Sequence, residues 1–263
     1  MDKHSYLLDN AWQQGRARLD TVEQFLDSGT IRTLEALEVA AGWRCLEVGA
    51  GGGSIALWLS RRVGASGNVI ATDVDTRHLD ALDKADNLEV LRHDIVHDSL
   101  DGDFDLIHAR LLLEHIPERD LVLSKLVHAL APGGWLVIEA LDYASAVAVS
   151  ERGAEEHTHS QRVRLREFAR AGIRTDYGRH LPRLMRASGL VEVRHEGRVF
   201  IMEGGSAGAR WFKLSMEQLQ PKLRGPDKLS GAEIDRMLEL FDDPSWAALS
   251  PIIFACWGRR SVD

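Results

Sequence analysis

The sequence predicts an α/β fold in which a mostly parallel β-sheet is covered by helices on both faces. Strand-like and helix-like patterns alternate from residue 43 to about residue 140, which is typical of such a sheet. A loop with four glycines follows the first strand pattern directly. The chain has 263 residues, of which 44% are hydrophobic, and this supplies the core of one large α/β domain.

The first segment, residues 1–41, is predicted to be a helical N-terminal cap. Apolar residues recur there at helical spacing on both sides of a predicted break at Ser28-Gly29. They are Leu19, Val22, Phe25 and Leu26 before the break, and Ile31, Leu34, Leu37 and Val39 after it. The pattern favours helices over strands for this lead-in.

The remaining chain, residues 42–263, is predicted to form one domain that begins with alternating elements. Strand patterns cover residues 43–48, 68–73, 88–95, 104–109 and 135–141, and helix patterns cover residues 54–64, 76–85 and 118–130. Pro132, Gly133 and Gly134 are predicted to end the third of these helices before the next strand starts.

Two late segments, at about residues 144–176 and 204–248, are predicted to be helical lid insertions. A helix over 178–189 and a strand over 190–202 lie between them, and residues 250–260 form a final apolar strand pattern. No regular crossover helix separates the last two strands, so we expect an antiparallel pair.

Charge and cysteine content argue against several functional classes. The net charge of −8 disfavours general binding to nucleic acid or to anionic membranes, and the basic stretch 162–174 is interpreted as a solvated helix face. Cys45 and Cys256 lie in apolar strand patterns, which predicts neither a disulfide nor a thiolate metal site. With no signal-peptide pattern and no membrane-spanning run, we expect a cytoplasmic protein.

The glycine loop predicts a bound ligand. Gly49, Gly51, Gly52 and Gly53 stand between a strand and a helix, where backbone amides and a helix N-terminus approach a ligand closely. Asp73 ends the second strand, 73 minus 49 or 24 residues after Gly49, where a carboxylate accepts hydrogen bonds from two ribose hydroxyls. This spacing suits either a nicotinamide dinucleotide or S-adenosylmethionine.

Two features of the loop disfavour the dinucleotide. The glycines lack the G-x-G-x-x-G spacing that brings a helix against a pyrophosphate. Glu47 would repel a pyrophosphate but attract the ammonium group of an amino acid.

Five motifs between residues 43 and 140 resemble those of class I S-adenosylmethionine-dependent methyltransferases, in the family's order. They are LEVGAGGG, VIATDVD, RHDI, FDLIHARLLLEHIP and LAPGGWLVIEA. The chain looks like the small-molecule members that carry a helical cap. The resemblance implies a Rossmann-like, seven-stranded, mostly parallel sheet whose last strand, residues 250–258, is inserted antiparallel.

The resemblance also implies which residues bind the cofactor. Asp73 would hold the ribose, with Asp75 as a second acid able to share that role, and Asp94 would accept a hydrogen bond from the adenine amino group. Val74 and Ile95 would pack on the adenine ring. The methionine half and the transferring methyl would lie beside Glu47, Gly49, Gly51, Gly53, His108, Ala109 and Arg110.

Catalytic and substrate residues are predicted from their places in the chain. His115 is the candidate base or substrate ligand, with an ordering role as the alternative, and Glu114 would brace its loop. The predicted substrate contacts are Tyr6, Trp12, Asp142 and Tyr143. His157 and His159 have a spacing that could bind a metal, but a solvated lid helix is the preferred interpretation and no metal is expected.

Aromatic and methionine side chains are concentrated in the predicted cap and lids, which suits a flat or apolar small molecule. We therefore expect methyl transfer to oxygen, nitrogen or carbon of a small metabolite, in secondary metabolism for example. Two alternatives stay open: a methyltransferase acting on RNA or protein, and a cofactor-binding protein of the same fold that performs no methyl transfer.

Overall fold

The structure, a computed structural model, describes residues 7–262 of the chain. The chain divides into two compact units. We call Leu26–Leu141, Tyr177–Gly197 and Ile253–Asp263 the sheet unit. We call Met1–Phe25, Asp142–Asp176 and Arg198–Ile252 the helical unit.

Seven strands form the main sheet, which belongs to the sheet unit. They are β1 (Arg44–Val48), β2 (Asn68–Asp73), β3 (Leu88–Arg92), β4 (Phe104–Arg110), β5 (Leu130–Asp142), β7 (Val191–Arg198) and β10 (Ile252–Arg259). Their order across the sheet is β3-β2-β1-β4-β5-β10-β7. The neighbours from β3 to β5 pair in parallel.

Strand β10 runs antiparallel to β5. The amide of Gly133, near the start of β5, donates to the carbonyl of Arg260 at 3.0 Å, just past the end of β10. The Arg260 amide donates back to the Gly134 carbonyl at 2.9 Å. The predicted fold class, a mostly parallel seven-stranded sheet with an antiparallel last strand, is confirmed.

Alternate residues of the central strands face two apolar clusters, as the two-residue period of a strand requires. Leu46 and Ile107 belong to a cluster with residues of α3 (Arg119–Ala129) and α5 (Tyr177–Ala187). Cys45 and Leu106 belong to the other cluster, with residues of α2 (Ser54–Val63) and the end of α1 (Gly15–Ala36). Both cysteines are free, and both are buried.

Within residues 7–262, the helical unit contains a small sheet and three whole helices. Its strands β6 (Val147–Ala148), β8 (Ile201–Glu203) and β9 (Ala247–Leu249) pair antiparallel in the order β6-β9-β8. Its helices are α4 (Ala154–Arg170), α6 (Ala207–Leu223) and α7 (Gly231–Leu240). Helix α7 begins with a capping box in which Ser230 and Glu233 satisfy each other's backbone amides. The lid role of these segments stays a prediction.

Several local predictions were wrong. Helix α1 runs unbroken through Ser28-Gly29, because Leu26 and Leu34 bury their side chains on either side and outweigh the roughly 1 kcal/mol cost of a helical glycine. Residues 76–85 form turns instead of a helix. There the Asp75 carboxylate accepts from the Arg77 amide at 3.2 Å, a local bond that competes with helix formation.

Two predicted strands have other bounds. Strand β5 begins at Leu130 and includes Pro132–Gly134, with a register shift between Phe104 and Leu106 of β4 that accommodates this stretch. The single strand predicted over 190–202 is two strands, β7 and β8, which belong to different sheets. None of the helices within residues 7–262 is both long and apolar enough to cross a bilayer.

Candidate active site

The glycine loop joins β1 to α2. Gly49, Gly51 and Gly53 have φ angles of 68°, 55° and 88°, a left-handed region that residues with a Cβ rarely adopt. A Cβ at Gly49 would lie 3.1 Å from Cδ1 of Leu112, and one at Gly53 would lie 2.4 Å from Cδ1 of Leu82. The loop therefore needs glycine for both its backbone conformation and its close packing.

Asp73, at the end of β2, is bonded to this loop. Its Oδ2 accepts a hydrogen bond from the Gly51 amide at 2.9 Å, and its Oδ1 accepts one from the Asp75 amide at 3.1 Å. Burial raises the pKa of the Asp73 carboxyl, and these amide bonds oppose the rise. Each carboxylate oxygen retains a second lone pair with which it can accept another hydrogen bond.

The chain around the ends of β2 and β3 carries the three predicted adenine contacts. Val74 is 55% exposed, which is unusual for a valine that directly follows a buried strand end, whereas Ile95 is buried. Partial burial would raise the pKa of Asp94, but hydrogen bonds from His97 and the Val96 amide outweigh it and lower the pKa. Asp94 is therefore an ionised acceptor at neutral pH.

Glu47 and His108 form a buried pair on neighbouring strands. They are register partners of β1 and β4, and His108 Nδ1 lies 2.7 Å from Glu47 Oε2. The pairing leaves Glu47 Oε1 and the buried His108 Nε2 without a partner within residues 7–262. Ala109, the next residue of β4, is fully buried.

Arg110 bonds to helix α1. Its Nη2 donates to Asp27 Oδ1 and its Nη1 donates to Thr30 Oγ1, both at 2.9 Å. The Thr30 hydroxyl in turn donates to Oε2 of Glu139 at 2.7 Å, and Glu139 is the register partner of Arg110 on β5. A continuous polar network thus connects β4 and β5 to α1.

The same network reaches the glycine loop. Ser54, the first residue of α2, donates from its hydroxyl to Asp27 Oδ1 at 3.1 Å. Sequence reasoning missed Asp27, Thr30, Ser54 and Glu139 as members of this site. The available signal was Glu139 itself, a lone acid in the apolar stretch WLVIEAL.

The turn after β4 holds Glu114 and His115. Leu111 has a φ of 54°, a strained conformation for leucine, and redirects the chain into the short helical turn Leu113–His115. Glu114 is fully buried, and its Oε1 accepts from the Leu141 amide at 3.3 Å while its Oε2 has no partner in the described chain. Burial raises the pKa of Glu114 to about 7. His115 is partly buried beside it.

A family model described as a methyltransferase domain matches residues 12–195, which is more than half of the 263-residue chain. The chain belongs to the class I S-adenosylmethionine-dependent methyltransferases. Its main sheet has the strand arrangement expected from the family resemblance, including the inserted antiparallel strand.

Named methyltransferases are similar to this chain over about half its length. It is 31% identical over 133 residues to methyltransferase str2 of Strobilurus tenacellus, covering 49% of this chain and 47% of that protein. It is 31% identical over 128 residues to methyltransferase GfsG of Streptomyces halstedii, covering 46% of this chain and 45% of that protein. The ubiquinone/menaquinone biosynthesis C-methyltransferase UbiE of Cellvibrio japonicus is 28% identical to it over 135 residues, covering 46% of this chain and 54% of that protein. The matches thus span about half of each relative.

Solved structures share the fold at low sequence identity. The YcgJ protein of Bacillus subtilis superimposes with a TM-score of 0.55 at 14% identity, covering 87% of this chain and 96% of that one. Phosphoethanolamine N-methyltransferase 2 of Haemonchus contortus, in complex with S-adenosyl-L-methionine, superimposes with a TM-score of 0.50 at 16% identity. The match covers 95% of this chain and 53% of that one. At these identities the likeness extends to the fold alone.

The residues predicted to contact substrate belong to a different unit from the predicted cofactor residues. Trp12, Asp142 and Tyr143 belong to the helical unit, whereas the predicted cofactor residues belong to the sheet unit. Tyr6 lies outside the described residues. The ring centroids of Tyr143 and Phe168 are 5.2 Å apart, in an edge-to-face arrangement.

The two histidines of the predicted lid have separate partners. His157 is buried with its ring centroid 5.8 Å from that of Trp246, and His159 Nδ1 lies 2.9 Å from Glu233 Oε1. Within residues 7–262, no three His, Cys, Asp or Glu side chains are grouped as metal ligands would be.

Proposed function

We propose that this chain binds S-adenosylmethionine at the glycine loop and transfers its methyl group to a small-molecule acceptor. The observation that carries the proposal is the hydrogen bond from the Gly51 amide to Asp73. It holds the Asp73 carboxylate beside the glycine loop, where its oxygens can accept further hydrogen bonds. When bound, the cofactor supplies a methyl group already activated on a sulfonium.

The contacts around the loop support this cofactor. Asp73 can accept from two ribose hydroxyls, and the ionised Asp94 can accept from the adenine amino group while exposed Val74 covers the ring. Glu47 Oε1 can take the ammonium of the methionine half, because His108 occupies only the other oxygen. These residues form an acceptor-rich site that suits the donors of this cofactor.

The chain's main catalytic task is alignment of the acceptor with the methyl group. Holding two reactants in line contributes roughly 7–11 kcal/mol in favourable cases. The network of Arg110, Asp27 and Thr30 helps by fixing α1 to the strands and to the start of α2. His115 is proposed to take a proton from an acceptor hydroxyl, or to order the acceptor.

The relatives support a small-molecule acceptor. One of them is named for C-methylation in ubiquinone and menaquinone biosynthesis. The net charge of −8 also disfavours a nucleic-acid acceptor. A role in secondary metabolism is part of the proposal.

The cofactor assignment is tested by calorimetry with S-adenosylhomocysteine, the reaction product. We expect Asp73→Ala to weaken binding about 10- to 100-fold, the value of hydrogen bonds to a charged group, with the fold intact. Asp75→Ala tests the alternative that the second acid shares the ribose, and it should weaken binding less, because Asp75 bonds to Arg77 instead of the loop. Equal affinity of Asp73→Ala and wild type would contradict the ribose assignment.

The acceptor class is tested with isotope-labelled S-adenosylmethionine in a cell lysate, separated into small-molecule and macromolecular fractions. Label in small molecules would support the proposal and provide a mass for identification. Label in RNA or protein would overturn it. Tight product binding with no label in either fraction would favour a protein that binds the cofactor without methyl transfer.

The role of His115 is tested by His115→Ala. If His115 is the base, turnover should fall by about 10²- to 10⁴-fold with unchanged affinity for S-adenosylhomocysteine. His128→Ala serves as the control, since His128 is an exposed histidine of α3. Wild-type turnover in His115→Ala would remove His115 from the catalytic residues.

A further inference from the structure

Glu47 and His108, the buried pair on β1 and β4, differ in what reaches the surface. Glu47 is 4% exposed, whereas His108 is 0% exposed, and its Nε2 is buried without a hydrogen-bond partner within residues 7–262. In this conformation a ligand can therefore touch Glu47 but not His108. The one ring nitrogen of His108 that can influence a ligand is Nδ1, which lies 2.7 Å from Glu47 Oε2.

The backbone of Glu47 is fixed from both sides. Glu47 is the register partner of Ala71 on β2 and of His108 on β4, and its carbonyl accepts from Thr72 Oγ1 at 3.2 Å. Gly49 follows two residues later, so Glu47 stands at the base of the glycine loop. The freedom that remains is rotation of the Glu47 side chain, which determines where its carboxylate points.

His108 is the residue that restricts this rotation. Among residues 7–262, it is the only one whose side chain hydrogen-bonds to the carboxyl group of Glu47. A carboxylate oxygen can only accept a hydrogen bond, so the ring nitrogen that donates to it is Nδ1. This bond uses Oε2 and leaves the lone pairs of Oε1 for a donor from outside the chain. A carboxylate that is already held in place loses less freedom when such a donor binds.

The nearby cation on β4 cannot replace His108. Arg110 lies two residues further along the strand and faces the same side of the sheet, but its guanidinium donates to Asp27 and Thr30, both at 2.9 Å. Without His108, the Glu47 carboxylate would lose its hydrogen bond while staying buried. Because an uncompensated buried charge is costly, the side chain would then rotate away or take up a proton. Either change would remove the negative charge from the base of the loop.

We propose that His108 is a positioning residue, which holds Oε1 of Glu47 toward the ammonium group of S-adenosylmethionine and does not itself contact the cofactor. The pair would thereby select adenosine thioethers and sulfoniums that carry an ammonium group over those that lack it. This inference rests on the proposed function, because it assumes that the methionine half of the cofactor lies beside the glycine loop.

The test compares S-adenosylhomocysteine with its deamino analogue, in which hydrogen replaces the ammonium group, by calorimetry on the whole chain. Wild type should bind S-adenosylhomocysteine about 10- to 100-fold more tightly, the value of a hydrogen bond between charged groups. His108→Leu should reduce this preference to about threefold or less. His108→Asn should keep most of it, because the asparagine amide nitrogen is attached to Cγ, as Nδ1 is, and can donate to Oε2. A merely structural role of His108 would weaken both ligands alike and leave the preference unchanged.

Two controls separate positioning from packing and from direct contact. Leu106→Val trims a fully buried side chain on the same face of β4, so it should lower stability without changing the preference. Glu47→Gln should remove the preference although His108 is present. Adding His108→Leu to Glu47→Gln should then change the preference no further, because two residues that act through one contact are not additive.

The outcomes distinguish this inference from the proposed function. An unchanged preference in His108→Leu would overturn it, as would a further loss when His108→Leu is added to Glu47→Gln. If His108→Leu does not fold, His108→Gln replaces it, since its amide lies one carbon further out, near the place of Nε2, and should also lose the preference. Wild type that binds both ligands equally would overturn the inference alone. Wild type that does not bind S-adenosylhomocysteine would contradict the proposed function itself.

Discussion

Glu114 is a fully buried carboxyl group in the turn that follows β4. One of its oxygens accepts a hydrogen bond from the Leu141 amide, and the other has no partner among the described residues. Burial without a cationic partner at bonding distance favours the protonated form, which explains why its pKa rises from 4.5 to about 7. Glu47, by contrast, is buried against His108 at 2.7 Å.

The raised pKa of Glu114 predicts a loss of stability as the pH rises. Between pH 4.5 and about 7, the folded chain keeps a proton that the unfolded chain releases, so the contribution of Glu114 to stability declines through this window. We expect the decline to total about 3 kcal/mol. Urea unfolding at several pH values should show it in wild type and not in Glu114→Gln.

The control for this experiment is Glu118→Gln, which removes one exposed carboxyl group from the next segment. Parallel stability curves for wild type and Glu114→Gln across pH 4.5 to 8 would contradict the buried-acid explanation. If the stability of Glu118→Gln also became independent of pH, the decline in wild type would be due to overall charge and not to Glu114.

The sequence predicts the loop residues of the candidate site better than their partners. Gly49 and Asp73 follow from local patterns, since a glycine loop and a strand end are both visible over a few residues. The bond between Thr30 and Glu139 joins positions 109 residues apart. It depends on which helix face meets which strand, information that no local pattern contains. The Glu47–His108 pair likewise requires β1 and β4 to be neighbours.

At the scale of elements, α1 is attached to the main sheet by polar side chains as well as by apolar packing. The Thr30 hydroxyl accepts from Arg110 and donates to Glu139, so one group links the helix to two strands. Buried polar groups without such partners are costly. Thr30 is therefore, beside Asp27, a main polar contact between α1 and the strands.

We predict that Thr30→Val destabilises the chain by about 1–3 kcal/mol, because it removes both bonds while keeping the shape of the side chain. Thr33→Val is the matched control, since Thr33 is also buried on α1 but its hydroxyl bonds only to the Gly29 carbonyl of its own helix. Urea unfolding of the two variants gives the comparison. Equal effects would show that the network contributes nothing beyond a local helix bond.

The elements themselves were predicted where apolar periodicity is strong, as for β1, β2, β4 and α2. The predictions failed where side chains bond to nearby backbone, as at Asp75, or where packing overrides a weak helix former, as at Gly29. They also failed at Pro132–Gly134, where pairing with β4 continues through residues that usually end a strand. At Gly29 and at Pro132–Gly134 packing or strand pairing outweighed the local preference, whereas at Asp75 a local side-chain bond competed with the helix.

At the scale of the whole molecule, the two cysteines offer a probe of opening. Cys45 in β1 and Cys256 in β10 are fully buried, and burial raises the pKa of both thiols, that of Cys256 to about 12. Thiolates are the reactive form, so folded chains should react with a disulfide reagent only when the sheet opens.

We predict that both thiols resist Ellman's reagent in native buffer and that two react after unfolding in guanidinium. S-adenosylhomocysteine at 100 times its dissociation constant should slow native labelling about 100-fold, because a ligand of the folded state lowers the open population by that factor. Asp73→Ala at the same ligand concentration should keep only about 2- to 11-fold protection, because its affinity is expected to be 10- to 100-fold weaker. Rapid labelling of either thiol in the native chain would contradict the burial of the sheet.

The position of β10 has a consequence for biosynthesis. Among the described strands, β7 pairs only with β10, yet β10 is synthesised more than fifty residues later. While the chain grows from its N-terminus, β1 to β5 can assemble in parallel, but β7 has no neighbour until β10 has inserted beside β5. During that interval both β5 and β7 expose unpaired edges, and such edges are templates for pairing with another chain.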